Sequence, residues 1–353
     1  MVCETAGEEA SRWLASRRLA GAALMQDVQT GALVSFTAAP VPASSVAGTA
    51  TTRGGAVVAG GVDVTTPLLP LSLAKIFLAA SCWEQVARLP PGTDRDLHAM
   101  IVDGSDSIGR RLAVDLRHAV GSAAVLADLR RFGLGACGGA GAPAARPDDG
   151  FWGELAPRFA QRLRPAGACV SIGPDDPDTR WASSLSIGED GLVVTLLHVS
   201  RFLQAVGNGG LLVRPLALTD GGDRGARGDG SDRIIAPPPA PPRPGGTRIV
   251  TAATAARLQA ALSDAVLRGT ASGIRGLPGH GWTMGGKTGT GPGEARPYDG
   301  CFAGLVFDGR RAPRYTIASY VRRGGRGGGA AAQLAAELVG RTLGLQGAPA
   351  GNP

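Results

Sequence analysis

Leu71-Ser72-Leu73-Ala74-Lys75-Ile76-Phe77 sets a serine and a lysine three residues apart at the head of an apolar-periodic segment. Ile76, Phe77, Ala80, Trp83 and Ala87 carry the pattern on at helical spacing. Pro70 stands just before it, where helices often begin. Residues three apart share one face of a helix, so Lys75 is expected beside the Ser72 hydroxyl. A serine is a weak nucleophile until a neighbour takes its proton. A lysine can take it only when neutral, which needs burial or a nearby cation to lower its pKa.

Alone, Ser-x-x-Lys more often marks a capping serine and a solvated lysine. Two further stretches change its meaning. Gly104-Ser105-Asp106-Ser107 follows about thirty residues on, and Gly286-Lys287-Thr288-Gly289-Thr290 lies towards the C-terminal end. Ser-x-x-Lys, Ser-Asp-Asn and Lys-Thr-Gly, in that order, are the motifs shared by penicillin-binding proteins and class A β-lactamases, and this chain resembles them. One residue departs from the pattern: Ser107 stands where asparagine is expected.

The composition narrows the alternatives. A chain of 353 residues suits one large domain or two small ones and can bury a sizeable core, so neither metals nor disulfides are needed for stability. The five cysteines (Cys3, Cys82, Cys137, Cys169, Cys301) are odd in number and scattered, without Cys-x-x-Cys spacing. The four histidines are far apart, so no metal or other cofactor is expected. The net charge is +7, but aromatics make up only 5% and much of the arginine sits in Gly/Arg-rich stretches such as 224–233 and 322–326. A nucleic-acid partner would call for a basic stripe interleaved with aromatics, and none is present. The charge reads as a solvated surface, or as one suited to an anionic cell envelope. No stretch approaches the ~20 apolar residues of a membrane span. Residues 1–19 hold Glu4, Glu8 and Glu9 and no apolar core, so they do not read as a secretory signal.

Along the chain, Glu8 to Arg18 reads as a short amphipathic helix carrying Trp13 and Leu14, and residues 1–19 are set apart as an N-terminal helical segment. Residues 20–38 read as a β-hairpin around Asp27-Val-Gln-Thr-Gly31. Residues 39–69 read as loops with short strands such as Ala56 to Ala59. From Ser72 to about Gly210 the pattern is mostly helical. Segments start at Ser72, near Leu97 and near Ser107; another covers Ser122 to Phe132 and exits at Gly133, and a last one runs from Thr195 to Val206. Residues 136–180 look irregular. Residues 220–246 are a flexible Gly/Asp/Arg/Pro insertion. Then come a helix from Ala252 to Arg268, strands at Trp282 to Lys287, Gly300 to Phe307 and Arg314 to Val321, a closing helix over 329–345, and a tail at 346–353. Strands at both ends with helices between them give an α+β fold: an antiparallel sheet covered by helices, with an all-helical subdomain inserted at about 72–210. The two ends must meet in one sheet, and the cleft between sheet and helical part is the natural ligand site.

The resemblance extends over 20–345 and is to the transpeptidase domain of penicillin-binding proteins, serine D,D-acyltransferases that cross-link peptidoglycan. Asp27-Val-Gln-Thr-Gly31 looks like the D-x-x-T-G turn of those domains. Leu129-Arg-Arg-Phe-Gly-Leu-Gly135, Ser186-Ile-Gly188 with Thr195, Val206-Gly-Asn-Gly-Gly210, Leu267-Arg-Gly-Thr270 and Tyr298 to Val306 look like further blocks in the family's order.

What the resemblance implies is specific. Ser72 is the nucleophile towards a D-Ala-D-Ala carbonyl or a β-lactam. Lys75 accepts its proton, and Ser105 passes a proton between Lys75 and the leaving nitrogen. Ser107 takes the place of an asparagine that binds the substrate amide and the lysine; its hydroxyl is shorter than a carboxamide. Lys287, with the Thr288 and Thr290 hydroxyls, binds the substrate carboxylate and disfavours a charge on Lys75. Gly289 admits the ligand to the backbone, and the N–H groups of Ser72 and Thr290 form the oxyanion hole. Asp103, Asp106 and Glu189 lie near the motifs, but none stands as a water-activating glutamate of the class A β-lactamase type.

The expected partners are thus peptidoglycan stem peptides and β-lactams, with a cell-envelope protein as a further candidate and no nucleic acid. Two other readings remain open: a scaffold or binding module whose site has decayed, and a serine hydrolase acting on another amide or ester. By resemblance the chain belongs in the cell envelope, which the absence of a leader or membrane helix in 1–19 does not itself provide for.

Overall fold

A computed structural model describes residues 4–39, 62–137, 168–213, 246–291 and 298–345. The expected strand at 56–59, most of the irregular 136–180 stretch, nearly all of the 220–246 insertion and the 346–353 tail lie outside the described residues.

The N-terminal hairpin pairs β1 (Ala20–Asp27) with β2 (Leu33–Ala39). Its turn is built by one side chain: Asp27 Oδ1 accepts from the Gln29 and Thr30 backbone N–H groups and from the Thr30 hydroxyl, at 2.7–2.9 Å. Aspartate in this position stabilises a turn by satisfying donors that no strand partner reaches. Five two-residue strands outside this sheet follow, β3 (Gly135–Ala136), β4 (Cys169–Val170), β5 (Leu192–Val193), β6 (Leu211–Leu212) and β7 (Thr247–Arg248), and from the C-terminal end come β8 (Pro278–Gly279), β9 (Trp282–Thr290), β10 (Gly300–Phe307) and β11 (Pro313–Arg322). The sheet order is β2-β1-β11-β10-β9-β8, with every pairing antiparallel. The two ends of the chain do meet, β1 lying along β11 from Ala20↔Arg322 to Asp27↔Tyr315.

Alternation along these strands makes two cores. One face carries Ala23, Met25, Phe302, Val306, Ile317 and Val321, packed under α1 (Glu4–Ser16) and the closing helix, residues Ala330–Thr342. The N-terminal helix therefore starts earlier than the hydrophobic pattern implies, and its Ala10 and Leu14 are completely buried. The other face carries Ala22, Leu24, Ala303, Leu305 and Ala318, in a core continuous with the helical part.

That part contains α2 (Ala74–Glu84), entered through a 3₁₀ turn at Leu71–Leu73, then α3 (Thr93–Asp103), α4 (Asp106–Val120) and α5 (Ser122–Arg131). It continues with α6 (Asp178–Ser186), α7 (Leu196–Gly207) and, after the insertion, α8 (Ala252–Arg268). The closing helix is α9. Thr195 and Thr251 cap α7 and α8 by accepting from the third residue on, as the first-turn donors require.

The sheet and helices are tied by buried polar contacts as well as apolar area. The Ser200 hydroxyl on α7 donates to Gln26 Oε1 and pairs with the Thr316 hydroxyl, and Gln204 Nε2 donates to the Val28 carbonyl. Such buried groups demand partners, so they fix the helix at one position on the sheet.

Two features went unread in the sequence. Helix α6 begins at the end of the irregular 136–180 stretch and runs beyond it to Ser186, and packs Trp181 fully buried, with the Arg117 guanidinium 5.4 Å from its ring. Cys137 and Cys169 form a disulfide across the short parallel pair β3 (Gly135–Ala136) and β4 (Cys169–Val170). Cys82 and Cys301 are buried free thiols.

Candidate active site

Three elements converge. The first is the turn into α2. Leu71 holds a left-handed backbone (φ 53°), unusual for a branched side chain. It presents Ser72, half-buried, at the head of the helix. One turn on, Lys75 is fully buried, with Nζ 3.0 Å from Ser72 Oγ. The spacing argument from the sequence is met.

The second is β9, which runs three residues beyond the expected end at Lys287 and takes in the whole Lys-Thr-Gly-Thr stretch. Lys287 is 1% exposed and its Nζ donates to the Thr288 carbonyl at 3.1 Å. The Thr288 hydroxyl donates to that of Thr270, in the segment after α8. The Thr290 hydroxyl accepts from Gly327 N, on the glycine-rich stretch after β11. Gly289 lies against Ser72: a Cβ there would stand 3.2 Å from the Ser72 nitrogen and 2.5 Å from Cys301 Sγ. A side chain at 289 would hold strand and helix head apart, which is the physical need for glycine here.

The third is the α3–α4 turn. Ser105 is the N-cap of α4, accepting from Ile108 N at 3.3 Å and sharing a hydrogen bond with the Ser107 hydroxyl at 3.1 Å. The residue between them makes the contact with the lysine. Lys75 Nζ donates to Asp106 Oδ1 at 2.5 Å, an ion pair whose lysine is buried and whose carboxylate is 56% exposed. The resemblance implies Ser105 at Lys75, with Ser107 as a shorter replacement for an asparagine that holds the lysine, and gives the neighbouring carboxylate of Asp106 no role. The start of α4 explains the difference: the hydroxyl of Ser105 is used in capping, and the first helical residue faces α2.

Burial sets the electrostatics. Desolvation lowers the Lys75 pKa; Asp106 opposes this and Arg110 adds to it. Desolvation, with Lys75 as a like charge, lowers Lys287 to about 8. The two ammonium groups therefore disfavour each other, as the resemblance implies. No group of His, Cys, Asp or Glu among the described residues could hold a metal ion. What the arrangement can do is activate a hydroxyl: a lysine of depressed pKa within 3.0 Å of a serine, beside a cationic strand edge suited to a carboxylate.

One signal for this site was present in the sequence and is sharper than the motifs. The 36 basic residues comprise 34 arginines and only 2 lysines, and the two lysines are Lys75 and Lys287. A chain that uses arginine everywhere else keeps lysine at two buried positions that act on each other, one of them hydrogen-bonded to Ser72. Arginine cannot be deprotonated in a protein, whereas a buried lysine can.

Comparison with known proteins agrees with the fold. The family model described as penicillin binding protein transpeptidase domain matches residues 113–340, a span that includes Lys287 to Thr290 and begins after Ser72, Lys75 and the Ser105 turn. The D,D-transpeptidase domain of a peptidoglycan glycosyltransferase from Eggerthella lenta superposes with a TM-score of 0.63 at 18% identity, over 98% of this chain and 81% of that one. Penicillin binding protein 3 from Mycobacterium tuberculosis, solved with aztreonam, gives 0.59 at 23% identity, over 99% and 78%. The transpeptidase domain of the FtsI4 D,D-transpeptidase from Legionella pneumophila gives 0.56 at 17% identity, over 97% and 94%. No curated protein sequence gives a match.

Proposed function

This chain belongs to the penicillin-binding protein transpeptidase domain family, and from that premise we propose that it is a serine D,D-acyltransferase. Ser72 attacks the carbonyl of a D-Ala-D-Ala stem peptide, or of a β-lactam, to form an acyl-enzyme. The observation that carries this reading is the pair of lysines, the chain's only two: Lys75, buried 3.0 Å from Ser72 Oγ, and Lys287, buried on the strand whose Gly289 packs against the Ser72 backbone.

In this mechanism neutral Lys75 takes the Ser72 proton as Oγ attacks. The tetrahedral oxyanion is received by the Ser72 and Thr290 N–H groups, donors of a kind worth about 3 kcal/mol each to the transition state. Lys287 with Thr288 and Thr290 holds the terminal carboxylate. The proton then passes to the leaving nitrogen, and the resemblance assigns the relay to Ser105. An acyl acceptor amine gives transpeptidation; water gives carboxypeptidation. The stem peptide and β-lactams are the proposed ligands, and the cell envelope the proposed place of action. Among the described residues no helix is long and apolar enough to cross a membrane.

The test is release of D-alanine from a synthetic N-acyl peptide ending in D-Ala-D-Ala, with and without an added D-amino acid acceptor. Wild type should release D-alanine, and Ser72→Ala should not. Folded wild type that releases no more than Ser72→Ala would overturn the proposal. One observation favours a second reading, a binding module without catalysis: Ser107 replaces the family's asparagine and is hydrogen-bonded to Ser105. That reading expects the peptide to bind without release, and Ser72→Ala to keep the biological role.

A further inference from the structure

We propose that Asp106 is the positioning residue of a Ser72–Lys75–Asp106 relay, taking over the hold on the lysine that residue 107, as a serine, does not provide. The inference deepens the acyltransferase reading and rests on it for its catalytic part. Its structural part stands on the contact alone: Asp106 Oδ1 is 2.5 Å from a lysine with no solvent exposure, whose other side-chain hydrogen bond runs to Ser72 Oγ. The three groups form a chain of the kind in which a nucleophile is paired with a base and the base is oriented by a carboxylate.

The position of Asp106 follows from local structure. Ser105 caps α4, and Asp106 is the first residue of that helix, where a carboxylate is favoured by the unpaired N–H groups and the helix dipole. Arg110, one turn along α4, and Lys287, across the cleft on β9, are the other charged groups acting at Lys75, and both are cations. Asp106 is thus the counter-charge in a site otherwise set against a protonated lysine.

The proton balance is simple. Neutral Lys75 accepts one proton from Ser72 as the Oγ–carbonyl bond forms. The new ammonium keeps one N–H on Asp106, which stays a carboxylate throughout. The ammonium then gives up one proton to the leaving nitrogen as its bond to the carbonyl carbon breaks. Asp106 acts twice: it aims the amine along the line to Ser72, and it stabilises the ammonium as it forms. It also holds some lysine protonated in the resting enzyme, and this sets the acid limit of acylation. A shorter serine at 107 is tolerated because the lysine is held from 106.

With two lysines in the chain, the experiment has an unusually clean readout. Protein labelled selectively with ¹³Cε-lysine should give two signals, and Lys287→Arg assigns them by removing one. The Lys75 signal is titrated in wild type, Asp106→Asn, Asp106→Glu and Ser107→Ala. Losing an opposite charge at this range shifts a pKa by on the order of one unit or more. The Lys75 midpoint is therefore expected to fall by about that much in Asp106→Asn, to recover in Asp106→Glu, and to hold in Ser107→Ala. In parallel, the acid limb of the penicillin acylation rate should move down by the same interval in Asp106→Asn, with a plateau reduced about tenfold or more. A Lys75 midpoint unmoved in Asp106→Asn, or moved as far in Ser107→Ala, would overturn the relay. Because the titration needs no acylation, failure of the acyltransferase reading shows separately, as wild type that titrates as expected and is never acylated.

Discussion

Lys287 is a buried cation with no carboxylate hydrogen-bonded to it among the described residues, and it carries a testable cost. Its pKa in the fold is about 8, against about 10.4 for a free lysine. Below pH 8 it is charged in both states, and the folded protein bears the desolvation. Between about 8 and 10.4 the unfolded chain binds more protons, so this group's contribution to stability rises with pH through that window. Lys287→Met, similar in length and uncharged, should raise Tm at pH 7, with the gain shrinking by pH 10. The same variant should lose acylation by carboxylate-bearing substrates. A Tm below wild type at both pH values would contradict this. The residue scale is also where the sequence was most and least legible. Ser72, Lys75 and Lys287 were found from the order of three motifs, and the closeness of Lys75 to Ser72 from helical spacing, because one turn of helix sets residues three apart on one face. Asp106 was not, because which residue of a capping turn faces the lysine depends on where α4 starts, and helix ends are the hardest boundary to read.

At the scale of elements, the turn that carries Ser72 is held from behind. Gly188, at φ 70° after α6, packs against the backbone of left-handed Leu71, and an added Cβ would overlap the Leu71 N, C and O atoms. Helix α6 is anchored in turn by Trp181 and by Asp178, which pairs with Arg117 at 2.7 Å. Gly188→Ala is therefore expected to cost more than about 2 kcal/mol of stability, and to slow acylation by displacing Ser72, although it touches no substrate. A denaturant melt and a penicillin acylation rate check both; wild-type values in each would show that the turn is not held this way. The Ser-Ile-Gly segment was legible as a family-like motif, but its job was not. The contact spans more than a hundred positions along the chain, and no local pattern reports it. Helix α6 was missed for a related reason: its start follows a Gly/Pro-rich run whose composition reads as loop.

For the whole molecule, strands at both termini and helices between them were enough to infer one antiparallel sheet with an inserted helical part, because unpaired edges have to be closed. The sheet order and the shared core bear that out. The disulfide was beyond reach: scattered cysteines carry no pairing information, and the short β3–β4 ladder that brings Cys137 to Cys169 is set by tertiary packing. A bridge closing a loop of 32 residues stabilises by about 3–4 kcal/mol in the chain-entropy account. Cys137→Ser with Cys169→Ser is expected to lower unfolding free energy by about that amount, and non-reducing peptide mapping of protein made in an oxidising compartment should recover the linked pair. Free thiols at both positions would contradict it.

The central claim is that one hydroxyl and two lysines form a single acylation centre, and intact-protein mass after incubation with benzylpenicillin, followed by peptide mapping, tests it most directly. The account predicts one penicilloyl adduct per folded molecule, carried by the peptide containing Ser72 and absent from Ser72→Ala. Folded protein that gains no mass, or that carries the adduct on another residue, would contradict it.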